Sequence, residues 1–103
     1  MVDPEVLRSI SAAAEELACR DGPLRERLAA AARKLDAALP GRDRWPGPLL
    51  QRAQQIKSEL SSAGSFEATV HTMEEAAAER LAERILHLYA DFQVAACEAR
   101  RKP

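Results

Sequence analysis

Residues 72–101, TMEEAAAERLAERILHLYADFQVAACEARR, contain neither glycine nor proline and are rich in alanine, glutamate, leucine and arginine. These residue types favour a helix interior, and without a breaker one helix can run the whole length. At about 1.5 Å per residue, such a helix is roughly 45 Å long. The rest of the chain must fold around this helix, because its apolar surface has to be covered.

Two apolar seams run along this predicted helix. The first lies within about 80° of arc on a helical wheel and indicates a core stripe. Its members are Ala77, Leu81, Ile85, Leu88, Phe92, Ala95 and Ala99. The second seam, further round the helix, consists of Ala82, Leu86, Tyr89, Gln93 and Cys97. One packing partner needs a stripe of only about 100°, so the second seam predicts a second partner.

Start and stop signals divide the earlier part of the chain into three shorter helices. Asp3 and Pro4 favour a helix start, because the carboxylate can accept from free first-turn amides and proline needs no amide partner there. Glycine and proline breakers then interrupt the apolar periodicity. We predict an all-α fold, a single four-helix bundle-like domain with three short helices and one long C-terminal helix. Their ranges are about 4–20, 23–39, 48–62 and 72–101.

The segment before the long helix, residues 66–71, allows two interpretations. Ser65 can cap a helix that continues straight into the long one. Alternatively, Thr72 and Glu75 have the spacing of a capping box, which would start the long helix at Met73 and leave residues 66–71 as a packed connector. We prefer the capping box.

Composition and charge limit the classes of partner. The chain has 103 residues, with 15 basic and 16 acidic side chains and a formal charge of −1. A charge this close to zero provides no electrostatic attraction to nucleic acid or to an anionic membrane. The first residues lack a basic leader followed by an apolar run, and no segment is apolar enough to span a bilayer. We therefore expect neither export nor membrane insertion.

The two cysteines, Cys19 and Cys97, lie far apart in the sequence and belong to no metal-binding or redox motif. This pattern indicates reduced thiols in the cytoplasm. A disulfide between Cys19 and Cys97, or between two chains, stays open at this stage, because its geometry is unknown.

No catalytic residue, cofactor or metal site is predicted. His87 has Glu83 and Asp91 one turn away on either side, but no cysteine or second histidine shares that face. His71 is the candidate for a phosphotransfer histidine. Known phosphotransfer and kinase dimerisation domains resemble one another in having a lysine or arginine and a small residue near the histidine, whereas two glutamates follow His71 here. The chain also lacks a glycine-rich phosphate loop, so we expect no enzyme.

The proline-bounded loop at residues 40–48, PGRDRWPGP, is the most distinctive predicted surface feature. Arg42, Arg44 and Trp45 are residue types common at binding hot spots, and a stiff loop loses little entropy on docking. In the alternative interpretation, Trp45 folds back and closes the end of the bundle. A helix-turn-helix is disfavoured, because its usual turn has only about three or four residues.

These observations favour a non-catalytic, cytoplasmic protein-interaction module. We predict a homodimer with Leu86, Tyr89, Gln93 and Cys97 in its interface, and an unidentified protein partner is also compatible with the sequence. A monomeric bundle with the long helix at its centre is the structural alternative. The functional alternatives are a small regulator that contacts nucleic acid through Arg42, Arg44 and the third helix, and a histidine phosphotransfer-type domain.

Overall fold

The computed structural model describes residues 4–18, 22–40 and 45–101, with side chains described as far as Glu98. The described residues form five α-helices and no strand. The helices are α1 (Pro4–Ala18), α2 (Leu24–Ala38), α3 (Gly47–Leu60), α4 (Phe66–Thr72) and α5 (Glu75–Arg101). The predicted all-α class is confirmed, but the described helices number five rather than four.

The additional helix, α4, arises from the segment that the sequence left ambiguous. Ser65 caps it, because its side chain accepts a hydrogen bond from the amide of Ala68 at 3.1 Å. Thr72 does not cap the following helix, because its hydroxyl donates backwards to the carbonyl of Ala68 at 2.9 Å. Met73 is extended, with ψ 155°, and ends α4. The predicted capping box is therefore wrong, and the supposed connector is helical.

Helix α2 packs closely against all four others. Its buried side chains are mostly alanines, which lets neighbouring backbones approach closely. Its buried residues are Leu28, Ala29, Ala31, Ala32, Leu35 and Ala38. Helix α5 packs against α1, α2 and α3. The long helix therefore lies at the side of a central α2.

One hydrophobic cluster includes residues from all five helices. On α5, the large members of the predicted core stripe are fully or almost fully buried, as expected; they are Leu81, Ile85, Leu88 and Phe92. The alanines differ: Ala78, Ala82 and Ala96 are buried, whereas Ala77 and Ala95 are half-buried. The buried stripe is thus rotated toward the second predicted seam, of which Ala82 is a member. The side chain of Ala99 lies outside the described part.

Two arginines in the first turn of α2 hold the ends of α1 and α4 against it. Arg25 Nη1 donates to the carbonyls of Val70 and Met73 at the end of α4, the latter at 2.6 Å. Arg27 Nη1 donates to the carbonyl of Leu17 at 2.7 Å, near the end of α1. Carbonyls in the last turn of a helix have no partner within the helix, so these guanidinium groups satisfy two helix ends at once.

Candidate interaction surface

The second predicted seam of α5 is only partly available to another molecule. Leu86 and Tyr89 are half-buried and pack against the chain's own core. The Tyr89 hydroxyl accepts a hydrogen bond from Gln93 Nε2 at 2.7 Å and lies 3.5 Å from the Ser11 hydroxyl of α1. Helix α1 therefore contacts part of the second seam, which the sequence analysis predicted a second chain to cover.

A shallow groove lies between α1 and α5 beside this tyrosine. It is lined from α1 by Leu7, Ser11 and Ala12 and from α5 by Tyr89 and Gln93. Gln93 itself is exposed, as is Cys97 one turn further along α5. These two residues are the members of the predicted interface that remain open to solvent. They mark the edge of a surface that continues round α5.

The adjoining surface contains an apolar side chain that neither predicted seam includes. Val94 is 56% exposed, and it is the one exposed large hydrophobic residue among the described side chains. Ala90, one turn earlier, is also exposed. We name the surface formed by Ala90, Gln93, Val94 and Cys97 the outer face of α5. It is uncharged over about two helical turns.

Charged residues precede the outer face along α5 and line its side toward α3. The first half of α5 exposes acidic residues, among them Glu79 and Glu83. Asp91 and Arg84, in contrast, form ion pairs with α3, because Asp91 Oδ2 accepts from Arg52 Nη1 and Glu59 Oε2 accepts from Arg84 Nη1. Both distances are 2.6 Å. These pairs hold α3 along the side of α5 and leave the outer face uncovered.

The structure places Trp45 in the core. Its indole Nε1 donates to the carbonyl of Ala38 at 3.0 Å, and its ring meets Phe92 edge-on, with centroids 5.4 Å apart. Trp45 therefore closes the bundle end between α2, α3 and α5, as the alternative interpretation of the loop has it, and is not available for a partner. Arg42 and Arg44 lie outside the described residues.

The basic side chains of α3 that a nucleic-acid interface would use have acidic partners within the chain. Arg52 pairs with Asp91, and Lys57 Nζ lies 2.7 Å from Asp36 Oδ1. Their charges are largely compensated at the surface, which weakens any attraction to phosphates. The paired basic side chains of α3 therefore give little support to the nucleic-acid hypothesis.

The two histidines lie on separate exposed surfaces. His87 is beside Glu83 on α5, while Asp91, the other carboxylate predicted near it, is engaged by Arg52. His71 lies on α4, in a cleft that Arg25 and Arg33 of α2 also line. Sequence spacing could not show these arginines beside His71. Arg33 pairs there with Glu67, and Arg25 holds the end of α4.

Among the described residues, no group of three or more histidine, cysteine, aspartate or glutamate side chains is arranged to hold a metal ion. No buried side-chain nitrogen or oxygen in the same part of the chain is without a hydrogen-bond partner. The described helices include none with the length and apolar character needed to cross a bilayer. Comparisons with protein-family models, with characterised proteins and with solved structures gave no significant match for this chain.

Proposed function

We propose that this chain is a non-catalytic helical interaction module that forms a homodimer through the C-terminal half of α5. The exposure of Val94, on a face that the chain's own helices leave uncovered, is the observation that carries the proposal. Burying an exposed valine against a second molecule is favourable, because it removes apolar area from water. A second copy of the same chain is the commonest partner for a small domain.

We expect the predicted interface residues to take part to different extents. Gln93 and Cys97 are exposed and flank Val94, so they contribute directly to the proposed contact. Leu86 contributes the part of its side chain that is exposed. Tyr89 acts mainly within the chain, because its ring packs on the core and its hydroxyl accepts from Gln93. The proposed interface is therefore the outer face of α5 with Leu86 at its margin.

The size of this surface sets the expected strength of association. Helix α5 has 27 residues, whereas α1 and α2 have 15 each. Pairing over the uncovered part of one helix buries less than the area of about 1,200 Å² that marks a stable complex. We expect a micromolar dissociation constant and rapid exchange. A reducing, cytoplasmic location belongs to the proposal, because the free thiol of Cys97 lies within the contact.

Sedimentation velocity over a micromolar to millimolar concentration series tests the proposal. The wild-type sedimentation coefficient should rise from that of an 11.3 kDa monomer to that of a dimer. Val94→Arg should remain monomeric throughout, because it places a charge in the contact. Ser58→Arg, on an exposed position of α3, is the matched control and should dimerise like the wild type. A wild-type chain that stays monomeric over the whole series would overturn the proposal.

A further inference from the structure

The chain breaks between α4 and α5 at Met73 and Glu74, although no helix-breaking residue lies there. Neither glycine nor proline occurs anywhere in residues 65–101. Met73 is nevertheless extended, with φ −77° and ψ 155°, and α5 starts with the hydrogen bond from the Ala78 amide to the Glu74 carbonyl. Sharp breaks in helices usually coincide with a proline, a glycine or an inserted side chain. The cause of this break therefore lies outside the local sequence.

An arginine of another helix replaces backbone hydrogen bonds that the break removes. In a continuous helix, the carbonyls of Val70 and Met73 would each accept from the amide four residues later. In the structure, both carbonyls accept from Nη1 of Arg25 on α2, that of Met73 at 2.6 Å. Hydrogen bonds from a charged donor are stronger than those between neutral groups. Arg25 thus compensates two of the lost bonds.

The local groups at the break are compatible with a continuous helix. Thr72 does not cap α5, because its hydroxyl donates to the carbonyls of Ala68 and Thr69, as threonines inside helices do. Glu74 and Glu75 suit the first turn of a helix, where acids are favourable, and they also suit a helix interior. The local sequence therefore does not decide between a break and a continuous helix.

We infer that Arg25 is the latch of a conformational switch. With Arg25 in place, α4 is folded back against α2; when Arg25 is released, α4 and α5 join into one helix over residues 66–101. The joined helix brings α4 into line with α5 and withdraws Val70, which is buried in the core. This movement opens the cleft that Val70 and Ala29 of α2 line together. The switch does not depend on the proposed homodimer.

A second arginine of α2 holds the other end of α4. Arg33 Nη1 donates to Glu67 Oε1 in the first turn of α4. Both side chains of this pair are more than half exposed, so the pair contributes little and lies away from the break. Helix α4 is therefore a strap held at both ends, and Arg25 is the contact that keeps it separate from α5.

Amide hydrogen exchange of the full chain tests the latch through a gain of protection. In the wild type, the amides of residues 75–77 lie in the first turn of α5, have no acceptor within the helix and should exchange rapidly. Arg25→Met removes the donors and keeps a long side chain. It should slow exchange at these amides by roughly tenfold, because they pair with the carbonyls of residues 71–73 in the joined helix. The α-carbon chemical shift of Met73 should become helical.

Two control variants isolate the break. Arg33→Met removes the other guanidinium of the strap and should leave residues 75–77 unprotected. Adding Glu74→Pro to Arg25→Met should abolish the gain, because proline prevents a continuous helix and favours an extended residue before it. Proline is compatible with a helix start in this chain, since Pro23 and Pro46 precede α2 and α3.

Arg25→Gln, whose shorter and uncharged side chain should also release the carbonyls, is a second latch variant and should give the same gain. Absence of a gain in folded Arg25 variants, or a gain that persists with Glu74→Pro, would overturn the switch. Loss of protection across α4 without a gain at residues 75–77 would also overturn it, because Arg25 would then only hold α4 in place. Failure of both Arg25 variants to fold would contradict it as well, since a switch requires a core that survives release of α4.

Discussion

The inner and outer faces of α5 lie on the same helical turns, but the chain buries the inner face and leaves the outer face exposed. On the inner face, Ile85, Leu88 and Phe92 are completely buried among the other helices. On the outer face, Val94 is 56% exposed and Ala90 is open to solvent. The inner face carries large apolar side chains, whereas most side chains of the outer face are small. The fold therefore needs only one side of this helix over these turns.

The difference separates stability from association. A substitution on the inner face should affect folding, because the side chain lies in a packed core with contributions from every helix. A substitution on the outer face should leave folding almost unchanged and affect only the contact between copies. Variants on both faces of the same turns test this separation, since they share the same local helix.

The largest expected effect comes from the inner face. Phe92→Ala should lower the free energy of unfolding by about 3–5 kcal/mol, because it leaves a cavity beneath Trp45. Urea denaturation followed by tryptophan fluorescence measures this loss. Val94→Ala is the outer-face counterpart and should stay within about 0.5 kcal/mol of the wild type when both are monomeric. Equal losses in the two variants would contradict the separation of the faces.

A smaller effect is expected from a larger side chain at Ala90 on the outer face. Ala90→Leu should weaken the dimer roughly tenfold, because the added atoms overpack the contact. The monomer should unfold at the same urea concentration as the wild type. Sedimentation equilibrium measures the dissociation constant. A tighter dimer would show that Ala90 lies beside the contact and not within it.

The sequence predicted the helical class and most helix limits well, because glycine and proline breakers define them locally. The sequence also predicted correctly that Leu81, Ile85, Leu88 and Phe92 are buried, because large apolar side chains indicate clearly which face of a helix packs on the core. Alanines carry weaker information about that direction, and the predicted stripe was rotated away from the buried one. Tyr89 of the second seam proved to lie against α1, which a wheel of a single helix cannot show.

Other features depend on contacts that are remote in sequence. The role of Arg25 requires Val70 and Met73, more than forty residues later in the chain. The division between α4 and α5 depends on Thr72, whose hydroxyl could cap forwards or bond backwards, and local spacing does not decide between these options. Val94 fell outside both predicted seams. The one signal that could have found it is its alternating four and three residue spacing from Ala90 and Cys97.

A dilution series followed by amide nuclear magnetic resonance of the wild-type chain measures association through α5 most directly. We expect concentration-dependent shifts concentrated along the outer face of α5, from Ala90 to Cys97, with amides of α4 and of the middle of α3 unchanged. Val94→Arg should abolish these shifts without altering the spectrum of the folded core. Spectra independent of concentration, or shifts centred on another helix, would contradict association through this face.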